Sequence, residues 1–537
     1  MSGNRLLRST AVFSAMTFLS RLSGLVRDQV YAAVFGATAA MDIFFIAFRI
    51  PNFMRRLSAE GSFSMAFVPV LAEYKEKHGP EAVRELIDRV AGTLTAALVV
   101  VTALVFLFAP QLAFVIASKY TGAHHDMLTE MLRITFPYAL FISLASLVGS
   151  VLNSYQRFAI PALSPILLNL SMIAAAFWLA PLMGGSVMAL AWGVFIAGIL
   201  QLVFQLPALA KLGLLPRPKL GLAHAGVRRI MTLMVPTLFG SSVVQFNLLF
   251  NTWAAAFLLS GSVSWLYYSD RLLEFPLGMF GVAIGTVILP HLSSRHAATD
   301  PEGFSKGLDW GFRLCLMIGV PACIGLVLCA GPLMATLFQY NKFTAFHAQM
   351  SSWSLMAQST AVPAFLLVKV LAPAFYSRQD TRTPVKAAVV SVLVNATATI
   401  LLFAGLLLLT DVGQAALVKA GGGYLDALAH IPGAHALLAL AIAIAGWTNA
   451  VQLAWYLRRA GVYRRQPGWG RFLRQIGLAS VAMTAVLIAL RWVWPDWSDW
   501  VWWERGWRLA ALVGSGGALY AALLWLQGIR PRDLRGH

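Results

Sequence analysis

The sequence predicts an all-α polytopic membrane protein with fourteen transmembrane helices. Of its 537 residues, 59% are hydrophobic and 12% are charged, and its mean hydropathy of +0.72 is far above that of soluble domains. Apolar windows of about twenty residues, long enough to cross a bilayer, recur along the chain. Basic residues concentrate in alternate loops, as they do in proteins that cross a membrane repeatedly.

Fourteen apolar segments, the predicted spans, carry this prediction. In chain order they lie near residues 10–36, 41–72, 90–117, 129–153, 160–183, 187–210, 230–259, 264–291, 312–338, 352–377, 385–410, 435–457, 474–495 and 508–527. We predict an N-terminal lobe over residues 1–220, which holds six spans, and a C-terminal lobe over 221–465, which holds six more. Residues 466–537 then supply the last two spans and a cytoplasmic tail.

Two sequence matches indicate that the six-span unit is duplicated. FSMAFVPVLAEY at the end of the second span resembles VAIGTVILPHLSS at the end of the eighth, and aligning Pro69 with Pro290 gives an offset of 221 residues. NSYQRFAIPA resembles YSRQDTRTPV, and aligning Pro161 with Pro384 gives an offset of 223. Because each half holds an even number of spans, the repeats are predicted to be parallel, with a site expected between them.

The net charge of +19 is distributed as in a membrane protein and not as in a nucleic-acid-binding protein. With the N-terminus placed inside, 27 of the 41 Lys and Arg residues fall in inner segments and five in outer loops. The positive-inside rule therefore predicts that both termini are cytoplasmic.

Loop segments beside the spans carry patterns of their own. HGPEAVRELIDRV, GLAHAGVRRI and PEGFSKGLDWG, which precede spans three, seven and nine, predict short amphipathic helices on the membrane surface. The tryptophan-rich loop RWVWPDWSDWVWWERGWR predicts a segment that lies flat on the outer face. The outer loop over 411–433 has no predicted role.

The stretch DIFFIAFRIPNFMRRLSAE, which begins at Asp42, puts Arg49, Arg55 and Arg56 inside an apolar segment. A basic residue at the centre of a span costs roughly 2.5–3.5 kcal/mol, so it is retained where it faces a bundle interior or a wet cavity. Asp42, Arg49 and Arg56 are seven residues apart and share one side of a helix, and Pro51 on that side predicts a kink. A surface helix with snorkelling arginines is the alternative, but apolar residues continue beyond the stretch.

The remaining charges near the middle of the two lobes are Arg21, Arg27 and Asp28 in the first span and Asp270, Arg271, Glu274 and Lys369 in later spans. Basic residues outnumber acidic ones in the complete set, which favours an anionic ligand. Guanidinium groups suit phosphate because they donate two hydrogen bonds at once. An internal ion-pair network that holds helices together is the alternative role for the acidic residues.

No motif of a metal or nucleotide site occurs in the sequence. It contains no CxxC, HExxH or GxxxxGK[ST] stretch, so we expect no cofactor and no ATP site. Cys315, Cys323 and Cys329 all fall in the ninth span, where thiols behave as small hydrophobic side chains.

Four long stretches resemble one family. SRLSGLVRD, MDIFFIAFRIPNFMRRLSAEGSFSMAFVPVLAEY, GSVSWLYYSDRLLEFPLGMFGVAIGTVILP and KVLAPAFYSRQDTRTPVK are similar to the MurJ (MviN) lipid II flippases of Gram-negative bacteria, within the multidrug/oligosaccharidyl-lipid/polysaccharide exporter superfamily. The resemblance implies an inner-membrane protein with a V-shaped central cavity between two six-helix lobes, and a lipid groove formed with the last two spans. It implies a cavity lined by Arg21, Arg27, Asp42, Arg55, Arg56, Ser264, Arg271 and Glu274.

The resemblance also implies a function, which is export of lipid II, the undecaprenyl-diphosphate-linked peptidoglycan precursor, by a transporter and not an enzyme. Membrane lipids and cell-wall synthesis proteins are the further partners expected, and no nucleic acid. A flippase for another polyprenyl-diphosphate glycan, a cation-coupled drug exporter and a lipid-modifying enzyme are the alternatives. Membrane potential and an ion site formed by carboxylates are both compatible energy sources.

Overall fold

The structure, a computed structural model, is all-helical within the residues that it describes. It describes residues 3–58 and 62–530, without the side chains of residues 3–15, 17, 56–58, 62, 236–244, 282, 283 and 286. Every regular element in these ranges is a helix. The chain divides into two compact units, Met1–Ala256 and Phe257–His537.

The first unit contains eleven helices within the described residues. They are α1 (Gly3–Phe35), α2 (Ala39–Ser58), α3 (Ser62–Lys77), α4 (Gly79–Leu107), α5 (Ala109–Ile116), α6 (Ala123–Thr135), α7 (Tyr138–Ser154), α8 (Ala159–Ala174), α9 (Ala180–Leu182), α10 (Met188–Ala210) and α11 (Ala225–Ala256). A π-helical turn, Ala175–Leu179, joins α8 to α9. The unit extends beyond residue 220, the predicted lobe boundary, because α11 packs against α3 and α2. The predicted lobes stay a prediction.

The second unit also contains eleven helices within the described residues. They are α12 (Ser262–Pro276), α13 (Val282–Ala297), α14 (Pro301–Phe338), α15 (Ala345–Ser359), α16 (Val362–Tyr376), α17 (Arg382–Leu409), α18 (Asp411–Lys419), α19 (Tyr424–Leu428), α20 (Ala434–Arg459), α21 (Trp469–Val493) and α22 (Trp502–Leu526). A second π-helical turn, Leu277–Gly281, joins α12 to α13.

These helices coincide with the predicted spans. Nine helical segments of the described chain are long and apolar enough to cross a membrane, and the pair α15 and α16, bent by 44°, brings the number to ten. The other four predicted spans fall on α1, on α2 with α3, on α11, and on α12 with α13. The structure therefore confirms a polytopic, all-helical membrane fold, and the full set of fourteen spans stays a prediction.

The predicted surface helices before spans three, seven and nine are not separate elements. Each amphipathic segment continues without a break into the apolar helix that follows, so that α4 begins at Gly79, α11 at Ala225 and α14 at Pro301. Two separate helices would leave additional backbone N–H and C=O groups without intrahelical partners. One continuous helix avoids this cost, and the glycines within these segments do not interrupt it.

A buried carboxylate in the first unit fixes the segment that follows α10. Asp88 on α4 is 4% exposed, and its Oδ1 accepts a hydrogen bond of 2.7 Å from the backbone N–H of Arg217. Lys219 approaches so closely that a Cβ on Gly92 would lie 2.3 Å from its carbonyl oxygen. The segment after the sixth predicted span is thus bound tightly to the N-terminal half of α4.

A carboxylate at the matching position of the second unit does the same. Asp309 on α14, 221 residues after Asp88, accepts hydrogen bonds from the Tyr463 hydroxyl at 2.9 Å and the Trp469 indole N–H at 2.7 Å, and forms an ion pair with Arg313 at 2.8 Å. Burial and then the hydrogen bond to Asp309 raise the pKa of Tyr463, so its hydroxyl remains a donor. The spacing equals one of the two repeat offsets found in the sequence, which supports the duplication.

The tryptophan-rich loop between α21 and α22 is anchored within the second unit. Trp497 is 7% exposed and stacks edge-on against Trp500. Arg505 is buried on the first turn of α22 and donates to the carbonyl oxygens of Ala335 at 2.9 Å and Ser498 at 2.8 Å. Part of this loop therefore packs against the end of α14 instead of lying wholly on a surface.

Candidate functional site

Arg27 is a buried arginine inside the first predicted span, and its guanidinium is held from two sides. Its side chain is 8% exposed, and its Nε and Nη2 donate to Oδ1 of Asp28 at 3.0 and 2.7 Å. Nη1 donates to Oδ1 of Asn169 on α8 at 3.0 Å. The guanidinium carbon also lies 5.4 Å from the ring centre of Tyr31. Charge pairing and hydrogen bonds together fix the orientation of this cation.

Asn169 is a site residue that the sequence reasoning missed. It is 6% exposed, and its amide nitrogen donates to Oγ of Ser23 at 2.8 Å and to the carbonyl of Ser20 at 3.2 Å, both on α1. Its amide therefore connects α1 to α8 and orients Arg27 at the same time. An asparagine in the middle of the fifth predicted span is costly unless its amide is hydrogen-bonded, and this was the signal available in the sequence.

Asp42 and Arg49 share one face of α2 but differ in burial and in surroundings. Asp42 is 1% exposed, whereas Arg49 is half-buried and its Nη1 donates to the carbonyl of Leu248 at 3.1 Å and to the Thr252 hydroxyl, both on α11. Arg49 therefore joins α2 to α11. The helix continues through Pro51 to Ser58.

The arginines near the end of α2 are only partly described. Arg55 is half-buried, and its Nε donates to the Asn52 side-chain oxygen at 2.9 Å, one turn earlier. The side chain of Arg56 lies outside the described residues, as does Glu60. Arg21, by contrast, is exposed on α1.

In the second unit, α12 carries four of the predicted site residues. Ser264 is fully buried, and Asp270 is half-buried. Arg271 and Glu274 face each other with 3.4 Å between Nη1 and Oε2, and their side chains are 24% and 58% exposed. The three-residue spacing thus produces the contact expected for one helical turn. In water a pair this exposed contributes little, roughly 0–1 kcal/mol.

Lys369 lies on α16 beside the irregular end of α12. Its side chain is exposed, and a Cβ on Gly281, the last residue of the second π-helical turn, would lie 3.4 Å from its Cγ. A Cβ on Gly285 would lie 3.8 Å from the Lys369 carbonyl. Both are ordinary van der Waals distances, so the close helix contact that the glycine series after Pro276 suggests stays a prediction.

The arrangement is suited to binding an anion. Among the described residues, no group of three or more His, Cys, Asp or Glu side chains could hold a metal ion. The first two predicted spans contain five arginines, Arg21, Arg27, Arg49, Arg55 and Arg56, against three acidic residues, Asp28, Asp42 and Glu60. Guanidinium groups held in fixed orientations within apolar helices present directed donors to phosphate or carboxylate oxygens.

Long apolar helices that hold buried and half-buried charges define a polytopic membrane protein of the kind that handles polar cargo. Comparison with known proteins specifies this class. The profile of the family described as "Lipid II flippase MurJ" matches residues 31–501, and the chain belongs to this MurJ family. Members of the family are transporters and not enzymes.

Individual relatives agree over nearly the whole chain. A probable lipid II flippase MurJ of Vibrio cholerae serotype O1 is 41% identical, with 99% of this chain and 98% of the relative covered. A lipid II flippase MurJ of Burkholderia cenocepacia is 38% identical, with 98% of each covered. A solved structure of lipid II flippase MurJ in an inward closed conformation has a TM-score of 0.76 at 24% identity and covers 96% of this chain and 98% of that one, so the fold is shared.

Proposed function

We propose that this protein exports lipid II, the undecaprenyl-diphosphate-linked muropeptide, from the inner to the outer leaflet of the cytoplasmic membrane by alternating access. Membership of the MurJ family over nearly the full length supports the substrate. The observation that carries the proposal is Arg27, a buried guanidinium held in a fixed orientation inside the first predicted span. The polar headgroup of lipid II carries a diphosphate, which needs such donors when it leaves water.

The proposed binding set contains the arginines Arg21, Arg27, Arg55 and Arg56 with Asp42 from the first unit, and Ser264, Asp270, Arg271, Glu274 and Lys369 from the second. Arg49 is proposed to contribute positive charge while its hydrogen bonds to α11 hold α2 in place. A cation-coupled drug exporter would need carboxylates in excess. The excess of arginines therefore favours a diphosphate over a cationic drug.

We further propose a topology of fourteen spans with both termini in the cytoplasm, in two six-span lobes and a final pair. The distribution of Lys and Arg between inner segments and outer loops supports this orientation. The matching positions of Asp88 and Asp309 support a duplicated unit. In this topology, the basic segment 458–474 lies on the cytoplasmic side.

Substitution of the central arginines tests the proposed site. Arg27→Ala, Arg55→Ala and Arg271→Ala should each abolish complementation of a depleted strain while the protein is still expressed. Lysine at the same positions should rescue poorly, because an ammonium group lacks the bidentate fork of guanidinium. Full complementation by the alanine variants at normal expression would contradict the site.

Depletion of the protein in its host distinguishes the substrates. Accumulation of lipid II followed by lysis is the expected result. Intact walls with lost surface polysaccharide would favour a flippase for another polyprenyl-diphosphate glycan instead.

The pair Arg271 and Glu274 is proposed to act in transport. The Glu274 carboxylate pairs with the Arg271 guanidinium until the substrate binds that guanidinium in its place. Glu274→Ala should then bind lipid II more tightly, and Arg271→Ala more weakly, and both variants should stay folded. A purely structural pair predicts equal destabilisation of both variants and recovery in the charge-swapped double variant. Thermal stability and lipid II binding of the three variants distinguish the two roles.

A further inference from the structure

A cavity of about 270 Å³ lies where α14, the start of α21 and the segment after α22 meet in the second unit. We propose that it binds the phosphodiester headgroup of an anionic phospholipid of the cytoplasmic leaflet, as a bound structural lipid and not as transported cargo. The inference rests on the orientation proposed above, which puts the basic segment 458–474 in the cytoplasm. None of the residues assigned to lipid II lines this cavity.

Two arginines line the cavity, and no acidic residue does. Arg313 is fixed, because its Nε donates to Asp309 at 2.8 Å and its Nη2 donates to the Pro467 carbonyl at 2.7 Å. Arg471 is exposed on the first turn of α21, and no hydrogen bond or ion pair joins it to another residue of the described chain. The cavity therefore holds one paired and one unpaired guanidinium, and its positive charge exceeds what its neighbours neutralise.

The backbone adds to this preference for an anion. Helix α21 follows Gly468, whose φ of +90° and lack of a side chain leave the helix without a side-chain cap. Gly468 also lines the cavity. The first N–H groups of a helix have no intrahelical acceptors, and together with the helix dipole they favour a negative group.

Trp310 supplies a further donor beside the cavity. It belongs to the cavity wall, and its indole nitrogen is buried without an acceptor among the described residues. A buried N–H group without a partner costs about 1–3 kcal/mol. A headgroup oxygen that reached this nitrogen would supply the acceptor that the described residues do not.

The apolar part of the lining indicates a lipid instead of a free anion. Met317 and Phe472 are each 8% exposed and line the cavity together with Leu314 and Ile529. The charged and the apolar lining residues both lie close in sequence to residues 312 and 474, where the ninth and thirteenth predicted spans begin. A phospholipid presents its phosphate and the first carbons of its acyl chains at the same depth, so its chemistry matches both kinds of lining residue.

Binding of phospholipid to the purified full-length protein tests this inference. Delipidated protein is titrated with dioleoylphosphatidylglycerol or dioleoylphosphatidylcholine, and bound lipid is counted by native mass spectrometry. We expect one phosphatidylglycerol to be retained in preference to phosphatidylcholine. Arg471→Gln should weaken this binding about tenfold, as expected for the loss of one charge-assisted hydrogen bond. Arg474→Gln, which removes the same charge at an exposed position outside the cavity, should leave it unchanged.

Three outcomes would overturn the inference. They are equal retention of both lipids, equal weakening by Arg471→Gln and Arg474→Gln, and displacement of phosphatidylglycerol by inorganic phosphate at equal concentration, which would indicate a site for free anions. Lipid II transport measured on the same preparations distinguishes a failure of the phospholipid site from a failure of the proposed function. Normal transport without selective phosphatidylglycerol binding would refute this inference and leave the proposed function standing.

Discussion

Asp28→Asn provides a sharp test of how the first unit tolerates a buried arginine. The substitution keeps the shape of the side chain but removes the charge that neutralises Arg27. Asp28 is fully buried and Arg27 is 8% exposed, so solvent does not compensate for the loss. Removing one partner of a buried ion pair destabilises a protein by about 3–5 kcal/mol, because the remaining charge is left uncompensated.

This free energy converts to a measurable shift in melting temperature. The first unit spans 256 residues, and a unit of that size loses about 2 °C in Tm per kcal/mol. Asp28→Asn should therefore lower the Tm by about 6–10 °C. Thermal unfolding of the purified protein in detergent, followed by tryptophan fluorescence, is the assay.

Asp126→Asn is the matched control, because it removes the same charge from a side chain that is 85% exposed. Its Tm should stay within about 1 °C of the parent, since exposed charge pairs contribute little. If Asp28→Asn shifted the Tm no more than this control, the Arg27–Asp28 pair would not be energetically important and the reasoning would fail.

Three further predictions concern residues outside the proposed binding set. Gly92→Ala should destabilise the protein by at least about 1–3 kcal/mol in a thermal assay, because its Cβ would overlap the backbone of Lys219, whereas Gly517→Ala, which meets only open space, should not. Tyr463→Phe should cost about 1.5–3 kcal/mol by chemical denaturation, because Asp309 loses a donor; no loss would contradict that bond. The Gly303 N–H and Arg295 hold the pKa of Asp300 below 3.8, so its contribution to stability is present above that pH and is lost as the pH falls through the lowered pKa. Asp300→Asn should therefore be less stable than the parent at neutral pH and approach it in acid, and a difference that grew in acid would refute this assignment.

The helices themselves were predictable because apolar length and loop charge are properties of the chain alone. All fourteen predicted spans fall on helices. The prediction of separate surface helices was wrong, because the amphipathic and apolar segments share one uninterrupted helix in α4, α11 and α14. The composition changes from amphipathic to apolar along these segments, but the helical backbone hydrogen bonding continues through the change.

The partners of the charged residues were less predictable. Sequence spacing placed Glu274 near Arg271, because residues three apart on one helix lie on the same face. It did not decide whether Asp28 pairs with Arg21 or with Arg27. It could not place Asn169 against Arg27 or the α11 carbonyl against Arg49, because these contacts depend on packing between helices far apart in the chain. The shared role of Asp88 and Asp309 was likewise not predictable, because it depends on which distant segment each carboxylate binds.

Reconstituted transport tests the central claim most directly. The purified protein is placed in liposomes with lipid II, and the fraction of lipid II exposed on the outer surface is followed over time by enzymatic modification from outside. The parent protein should expose lipid II from the inner leaflet, and Arg27→Ala should reduce the rate to that of protein-free liposomes. A parent protein that moved no lipid II, or an Arg27→Ala variant that moved it at the parent rate, would contradict the account.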